Sequence, residues 1–286
     1  MIDEQLHQQH QDLMLEILQE FDRICKLLGI QYVLFAGSLL GAVRHKGFIP
    51  WDDDLDVLLL REDYLRFLEL APQYLDTRRF YLQREFDEHW PMFFSKLRMN
   101  GTTCIERFRA KDPAMHQGIY IDVFPCDDAA TTIVGRVIQF AASKVVIAKG
   151  LSARGYNTNS WIKKLFIGFC KLLPIAPFLW ITKNGEKKSK LVHSFLGGAS
   201  SYCKNVFPRT MLTEVEDGEF EGKAYPIPKQ YDTMLCTMFG NYLSTPDERE
   251  RKIKQHAVLV DVDKSFEKYA DYWEGKRIDE HSRSIR

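Results

Sequence analysis

Four aspartates fall within five positions, Asp52-Asp53-Asp54-Leu55-Asp56, and run straight into Val57-Leu58-Leu59-Leu60. Carboxylates this close repel one another, so the run is costly to fold unless a cation or fixed donors offset it. The apolar stretch reads as a buried strand. Side chains alternate along a strand, so Asp54 and Asp56 share one face at its mouth. Two carboxylates on one face suit a hard divalent ion such as magnesium. A solvated, Asp-rich turn has the same composition, and spacing alone leaves both readings open.

Upstream, residues 30–36 form a short apolar run that suits a buried strand. Gly37 breaks it, and Ser38 is an expected N-cap for a short helix through Leu39, Leu40, Ala42 and Val43. Such a strand, turn and helix aims backbone N–H groups and a positive helix end at an anion. The spacing of Leu6, Leu13, Ile17, Phe21, Ile24 and Leu28 predicts a helix closed by Gly29. A second helix is expected over 61–75, then strands over 80–83, 92–98, 102–106 and 118–125, the last stopped by Pro125. Asp122 lies inside that last apolar strand. Buried alone it would cost on the order of several kcal/mol, so it either pairs with a Lys or Arg or serves as a third metal ligand.

At 286 residues, 45% hydrophobic and 27% charged, the chain is globular and long enough for one large domain with an insertion. A formal net charge of zero argues against a nucleic-acid partner. The 6 cysteines are scattered without C-x-x-C spacing, so reduced thiols are expected and neither a zinc knuckle nor a disulfide framework is. Met1-Ile2-Asp3-Glu4-Gln5 has no apolar stretch, so no signal peptide is expected and a cytoplasmic location is.

The neutral total hides an asymmetry. Residues 1–128 carry net −8, residues 129–190 net +10 with Glu186 the sole acid, and residues 191–286 net −2. Helices are expected over 133–151 and 161–181. The second is interrupted by Lys171, Pro174 and Pro177, which makes it a poor membrane span, since a span needs about 20 apolar residues. Its tryptophans and lysines suit either an interfacial helix on an anionic membrane or an amphipathic core helix. After it come an extended segment over 220–228 and a helix over 229–239. We therefore expect a core over 1–128, a basic, mainly helical insertion over 129–200, and an extension over 201–286 packed on the core.

Gly37-Ser38 after one strand, Asp54-x-Asp56 at the next and Asp122 on a later strand together resemble the polymerase-beta type of nucleotidyltransferase. The whole stretch from Gly37 through Arg44-His45-Lys46-Gly47-Phe48-Ile49-Pro50-Trp51 to Val57 resembles one branch, the LicD phosphotransferases, to which the fukutin-related proteins also belong. Phe94-Ser95-Lys96-Leu97-Arg98, residues 118–125, Phe220-Glu221-Gly222 and the tail Phe239-Gly240-Asn241-Tyr242, Pro246 and His256 extend the likeness. Where that family often has Tyr-Gly-Asp, this chain has Phe239-Gly240-Asn241, which removes an acid at position 241.

The resemblance implies an α+β fold: a nucleotidyltransferase core of mixed sheet and flanking helices, plus the basic insertion. It implies transfer of phosphocholine, or another alcohol phosphate, from a CDP-choline-like donor to a lipid-linked or polymeric glycan at the inner face of the cell membrane. Asp54, Asp56 and Asp122 would hold magnesium, or manganese in its place, with Asp122 also taking a proton. Gly37 and Ser38 would meet the donor phosphate, Asp52 would support the metal set, and Arg44 and His45 would contact the donor. Lys96 and Arg98, alternating on one strand, would either hold the departing phosphate or stand solvated. Trp51, Trp90, Phe93, Phe94 and Tyr120 lie near these motifs, but no quaternary-ammonium cage can be named among them. Transfer of the nucleotidyl half, or a membrane scaffold without catalysis, remain the alternatives.

Overall fold

The computed structural model describes residues 4–106, 114–154, 156, 158–197, 201–245, 247 and 256–272; Pro246 of the expected tail signature lies outside them. In chain order the elements are α1 (Glu4–Leu28), β1 (Val33–Leu34), α2 (Ala36–His45), β2 (Asp56–Leu60), α3 (Arg61–Leu70), β3 (Phe80–Gln83), β4 (Ser95–Met99), β5 (Thr103–Glu106) and β6 (Tyr120–Asp128). The helices α4 (Ile133–Ala153), α5 (Trp161–Leu172) and α6 (Ile175–Lys183) follow. The chain then forms β7 (Leu191–His193), β8 (Val206–Pro208), α7 (Thr210–Thr213), β9 (Val215–Phe220), β10 (Lys223–Pro228), α8 (Tyr231–Phe239) and β11 (Ala257–Asp261).

The architecture is α+β around one mixed sheet in the order β1-β2-β6-β4-β3, with β7 on β6 and β8 beyond it. Strands β2 and β6 run parallel, in register from Asp56↔Asp122 to Leu60↔Cys126, and the other pairings are antiparallel. Val57, Leu58 and Leu59 are fully buried. Burial of each such side chain contributes about 1.5–3 kcal/mol, and trimming Leu58 to Ala costs about 2–5 kcal/mol. The buried face of α1, with Met14, Ile17, Leu18, Phe21 and Ile24, lies across β4 and β6. Gly29, at φ +60, turns the chain out of that helix as expected.

Several sequence expectations change. The strand over 30–36 shortens to Val33–Leu34, because Phe35 and Ala36 turn sharply into α2. Its N-cap is Phe35 rather than Ser38, and Ala36 takes the left-handed φ of 45°. Strand β6 is not stopped by Pro125 but runs on to Asp128. Pairing with β4 ends at Ser95↔Val123 and pairing with β7 begins at Asp127, so the proline falls where that side of the strand has no antiparallel ladder. The helix over 161–181 breaks at Leu173-Pro174 into α5 and α6, bent by 101°. Lys149 caps the break by donating to the carbonyls of Cys170, Lys171 and Leu173. The segment after α6 is not helical: β7 returns to the main sheet.

The extended segment over 220–228 is half of a hairpin, β9 with β10. Its tip docks on the loop after α2: Glu221 N–H donates to Lys46 O, and Phe48 N–H donates to Glu221 Oε1. A Cβ at Gly47 would overlap that carboxylate, so a larger residue there must displace the Glu221 side chain.

Candidate active site

The acidic run is divided among different tasks. Asp54 and Asp56 leave the chain two residues apart at the mouth of β2, and Asp122 is the direct β6 neighbour of Asp56. Paired residues on neighbouring strands point to the same face, so Asp56 and Asp122 share one side of the sheet, and Asp54 lies close enough to feel the charge of Asp122. The rung is closed by Asp122 N–H donating to Leu55 O. Ser38, inside α2, accepts a hydrogen bond at Oγ from Asp56 N–H over 2.8 Å, which joins the Gly-Ser turn to the acidic strand. Among the described residues, no three Asp, Glu, His or Cys side chains converge as a ready-made metal cage.

The electrostatics carry the mark of crowding. Burial pushes Asp54 up to about 6, with Asp53 and Asp122 adding to the rise and His256 and Lys96 opposing it. Asp56 is pushed well above the ordinary carboxylate range by burial and then by Asp54, Asp122 and Asp52. Asp122 is raised by burial, against the pull of Lys96. Lys96 Nζ sits 2.9 Å from Asp122 Oδ1 as an ion pair without the alignment of a hydrogen bond.

Asp53 does different work. Its carboxylate accepts from His256 N–H and Ala257 N–H and so ties β11 to the site. That places His256 Nε2 3.3 Å from Asp54 Oδ2. Asp52 packs against the first turn of α2: a Cβ on Gly37 would come within 2.6 Å of its Oδ2. An anion there suits the positive end of the helix, which has no side-chain cap. Gln11 of α1 donates to Ile49 O and Asp52 O and fixes this loop from behind.

Lys96 and Arg98 are interior groups, at 0% and 1% exposure, so the solvated alternative is excluded for both. Arg98 donates from Nε to Gln83 Oε1 and from Nη1 to Gly118 O, and so braces the sheet. Lys96 bridges Asp122 and Glu106, and its ammonium lies 3.1 Å from the centre of the Tyr120 ring, with Trp90 and Phe94 at 5.4 and 5.7 Å. The aromatic set near the motifs therefore already surrounds a cation of the protein itself. Arg44 donates to Tyr242 O and Ser244 O, which gives it a bracing task in the loop after α8. His45 is exposed beside Trp51, its ring centroid 6.3 Å away.

Sequence reasoning missed Glu106, whose partners come from distant parts of the chain. It accepts from Tyr120 Oη and from Arg154 at the end of α4, and faces Lys96 at 3.5 Å. Burial would push it up, but Lys96, Arg154 and Arg98 outweigh burial and hold it well below the usual range.

Residues 29–149 match the family described as LicD/FKTN/FKRP, nucleotidyltransferase domain. The chain is 26% identical over 248 residues to the lipopolysaccharide cholinephosphotransferase LicD of Haemophilus influenzae, covering 83% of this chain and 91% of that protein. An uncharacterized protein of Rickettsia typhi is 39% identical over 59 residues, which are 21% of this chain and 19% of that one. Human ribitol 5-phosphate transferase FKRP is 48% identical over 40 residues, 14% of this chain and 8% of that one. The matched span runs from the end of α1 through most of α4 and holds Asp54, Asp56 and Asp122, so the likeness to the LicD-family domain takes in the whole acidic set.

Proposed function

We propose that this protein transfers phosphocholine, or a similar alcohol phosphate, from a CDP-activated donor to a sugar hydroxyl of a cell-surface glycan precursor and releases CMP. The observation that carries this reading is the rung of Asp56 and Asp122, flanked by Asp54, inside a LicD-family domain. The full-length relative from Haemophilus influenzae is named for cholinephosphotransfer to lipopolysaccharide, which favours choline as passenger and a glycan as acceptor. A polymerase-beta-type core and a site of action at the inner face of the cell membrane belong to the same reading.

A magnesium ion, or manganese in its place, belongs to this reading. Neighbouring buried carboxylates carry an excess of negative charge, and magnesium needs only one or two protein carboxylates when donor phosphates and waters complete its shell. Asp54, Asp56 and Asp122 would hold it, and when bound it would neutralise the diphosphate. The acceptor oxygen attacks the choline-bearing phosphorus, a P–O bond forms, the bond to the bridging oxygen breaks, and CMP carries that oxygen away. Asp122 takes the hydroxyl proton. Lys96 orients Asp122 from the sheet interior, and the first turn of α2, next to Gly37 and Ser38, presents backbone N–H groups to a phosphate.

A donor labelled separately on choline and on the nucleotide tests the reading. Choline label on the glycan, with CMP as co-product, is expected. Nucleotide label on the acceptor means that the nucleotidyl half moves instead. Glycan modification in cells that is equal with Asp56→Asn and with the parent chain means that the fold acts as a scaffold without catalysis.

A further inference from the structure

Helix α5 turns its apolar residues outward. Only Cys170 is buried, while Trp161, Ile162, Leu165, Phe166, Phe169 and Leu172 are 44–83% exposed. At about 100° per residue these six fall within an arc of about 140°. Lys163, Lys164 and Lys171 lie beside that arc rather than within it. The second helix of the pair, α6, buries only Thr182 and exposes Trp180. A soluble surface scatters its exposed apolar residues singly, so a continuous face of this kind marks an interaction surface.

Charge selects the occupant. The surrounding residues 129–190 carry net +10, with Glu186 their sole acid. A second copy of the chain docked face to face would oppose like charge to like charge across a two-fold contact. An anionic lipid surface takes up both the apolar face and the lysines beside it. Length sets the depth. The 12 residues of α5 span about 18 Å, short of a hydrocarbon core of about 30 Å, and α6 leaves it at 101°. No single described helix is long and apolar enough to cross a membrane.

We propose that α5 lies in the headgroup plane of an anionic membrane as an interfacial anchor, with Trp161 and Phe169 immersed and Lys163, Lys164 and Lys171 on lipid phosphates. The bent α5–α6 unit, pinned by Lys149, holds the anchor at a fixed angle to α4. The anchor deepens the membrane-side placement of the transferase but does not depend on which group is transferred.

Flotation of the purified full chain with vesicles of equal parts phosphatidylcholine and phosphatidylglycerol tests this. At low salt the protein is expected to float with them, and not with phosphatidylcholine alone. Leu165→Glu with Phe169→Glu is expected to weaken binding roughly tenfold or more. Both positions are exposed, so an unchanged circular dichroism spectrum shows that the variant is folded. Turnover on a water-soluble acceptor should survive in the variant, which separates loss of the anchor from failure of the transferase reading. No flotation with anionic vesicles, flotation unaffected by the double variant, or a dimer in light scattering that the same variant dissociates would each overturn the proposal.

Discussion

The strands β4 and β6 and the helices α5 and α6 invert the usual partition of side chains in opposite ways. Around β4 and β6, ions go inside: Lys96, Asp122 and Arg98 on those strands, with Glu106 from β5 and Arg154 from the end of α4, are all buried or nearly so, and each is placed against a counter-charge, a carbonyl or a ring. On the helical arm, apolar groups go outside. Both arrangements raise the free energy of the isolated chain. The buried charges fix the bearing of a carboxylate, because each group is held by more than one neighbour. The exposed rings and aliphatic chains lower their free energy when another phase covers them. Strain inside the sheet thus orders a site, and strain on the arm invites a surface.

The comparison breaks most readily at the carboxylates. Asp56→Asn or Asp122→Asn should lower turnover on the order of a thousandfold, the scale of losing an electrostatic contact to the transition state, while melting stays cooperative. A chelator that removes divalent ions should do the same, and added magnesium should restore activity. Unchanged rates in either assay would reduce the acidic rung to a structural feature.

Next in size is Glu106→Gln. It leaves Lys96 and Arg154 facing a neutral amide and should cost about 3–5 kcal/mol in denaturant unfolding. An equal substitution at exposed Glu186 should leave stability within about 0.5 kcal/mol, so near-equal losses would erase the contrast between interior and arm.

A third test uses pH. Burial lowers His10 and His193 to about 4, so both are neutral in the folded protein and protonate more readily when unfolded. Between about pH 6.5 and 4 the unfolded chain binds more protons, and stability must fall as pH falls through that window. Each group can contribute on the order of 3 kcal/mol. Unfolding curves at a series of pH values should show this slope, and a His193→Gln variant should flatten it.

The smallest expected effect is on the arm. Lys149→Met removes the donor to three carbonyls at the α5–α6 break and should cost about 1–2 kcal/mol locally. Faster amide exchange confined to α5 and α6 would report it. A change spread through the sheet would mean that the two regions are not separable.

Local features of the fold were legible in the sequence. The period of two around Asp54 and Asp56 and the apolar surroundings of Asp122 place three acids without reference to the rest of the chain. The Leu and Phe spacing of α1 and the glycine that ends it are equally local. What escaped the sequence depends on residues far apart. Glu106 reads as the polar end of a strand until Arg154 arrives from α4 and Lys96 from β4. Gln11 reads as a solvated helix residue until it meets the carbonyls of Ile49 and Asp52. Arg98 reads as a ligand residue because arginine suits phosphate, and only packing reveals its bonds to Gln83 and Gly118. No periodicity encodes such pairings.

The grip of Asp53 on the amides of His256 and Ala257 makes the far end of the chain a working part of the acidic loop. Cut the polypeptide ahead of His256 and the Asp53 carboxylate loses these backbone donors, next to acids whose proton affinity is already high. The loop would then lose its tether, and the spacing of its neighbours would drift. A shortened version of this protein would therefore carry a rearranged acidic loop, not merely fewer residues.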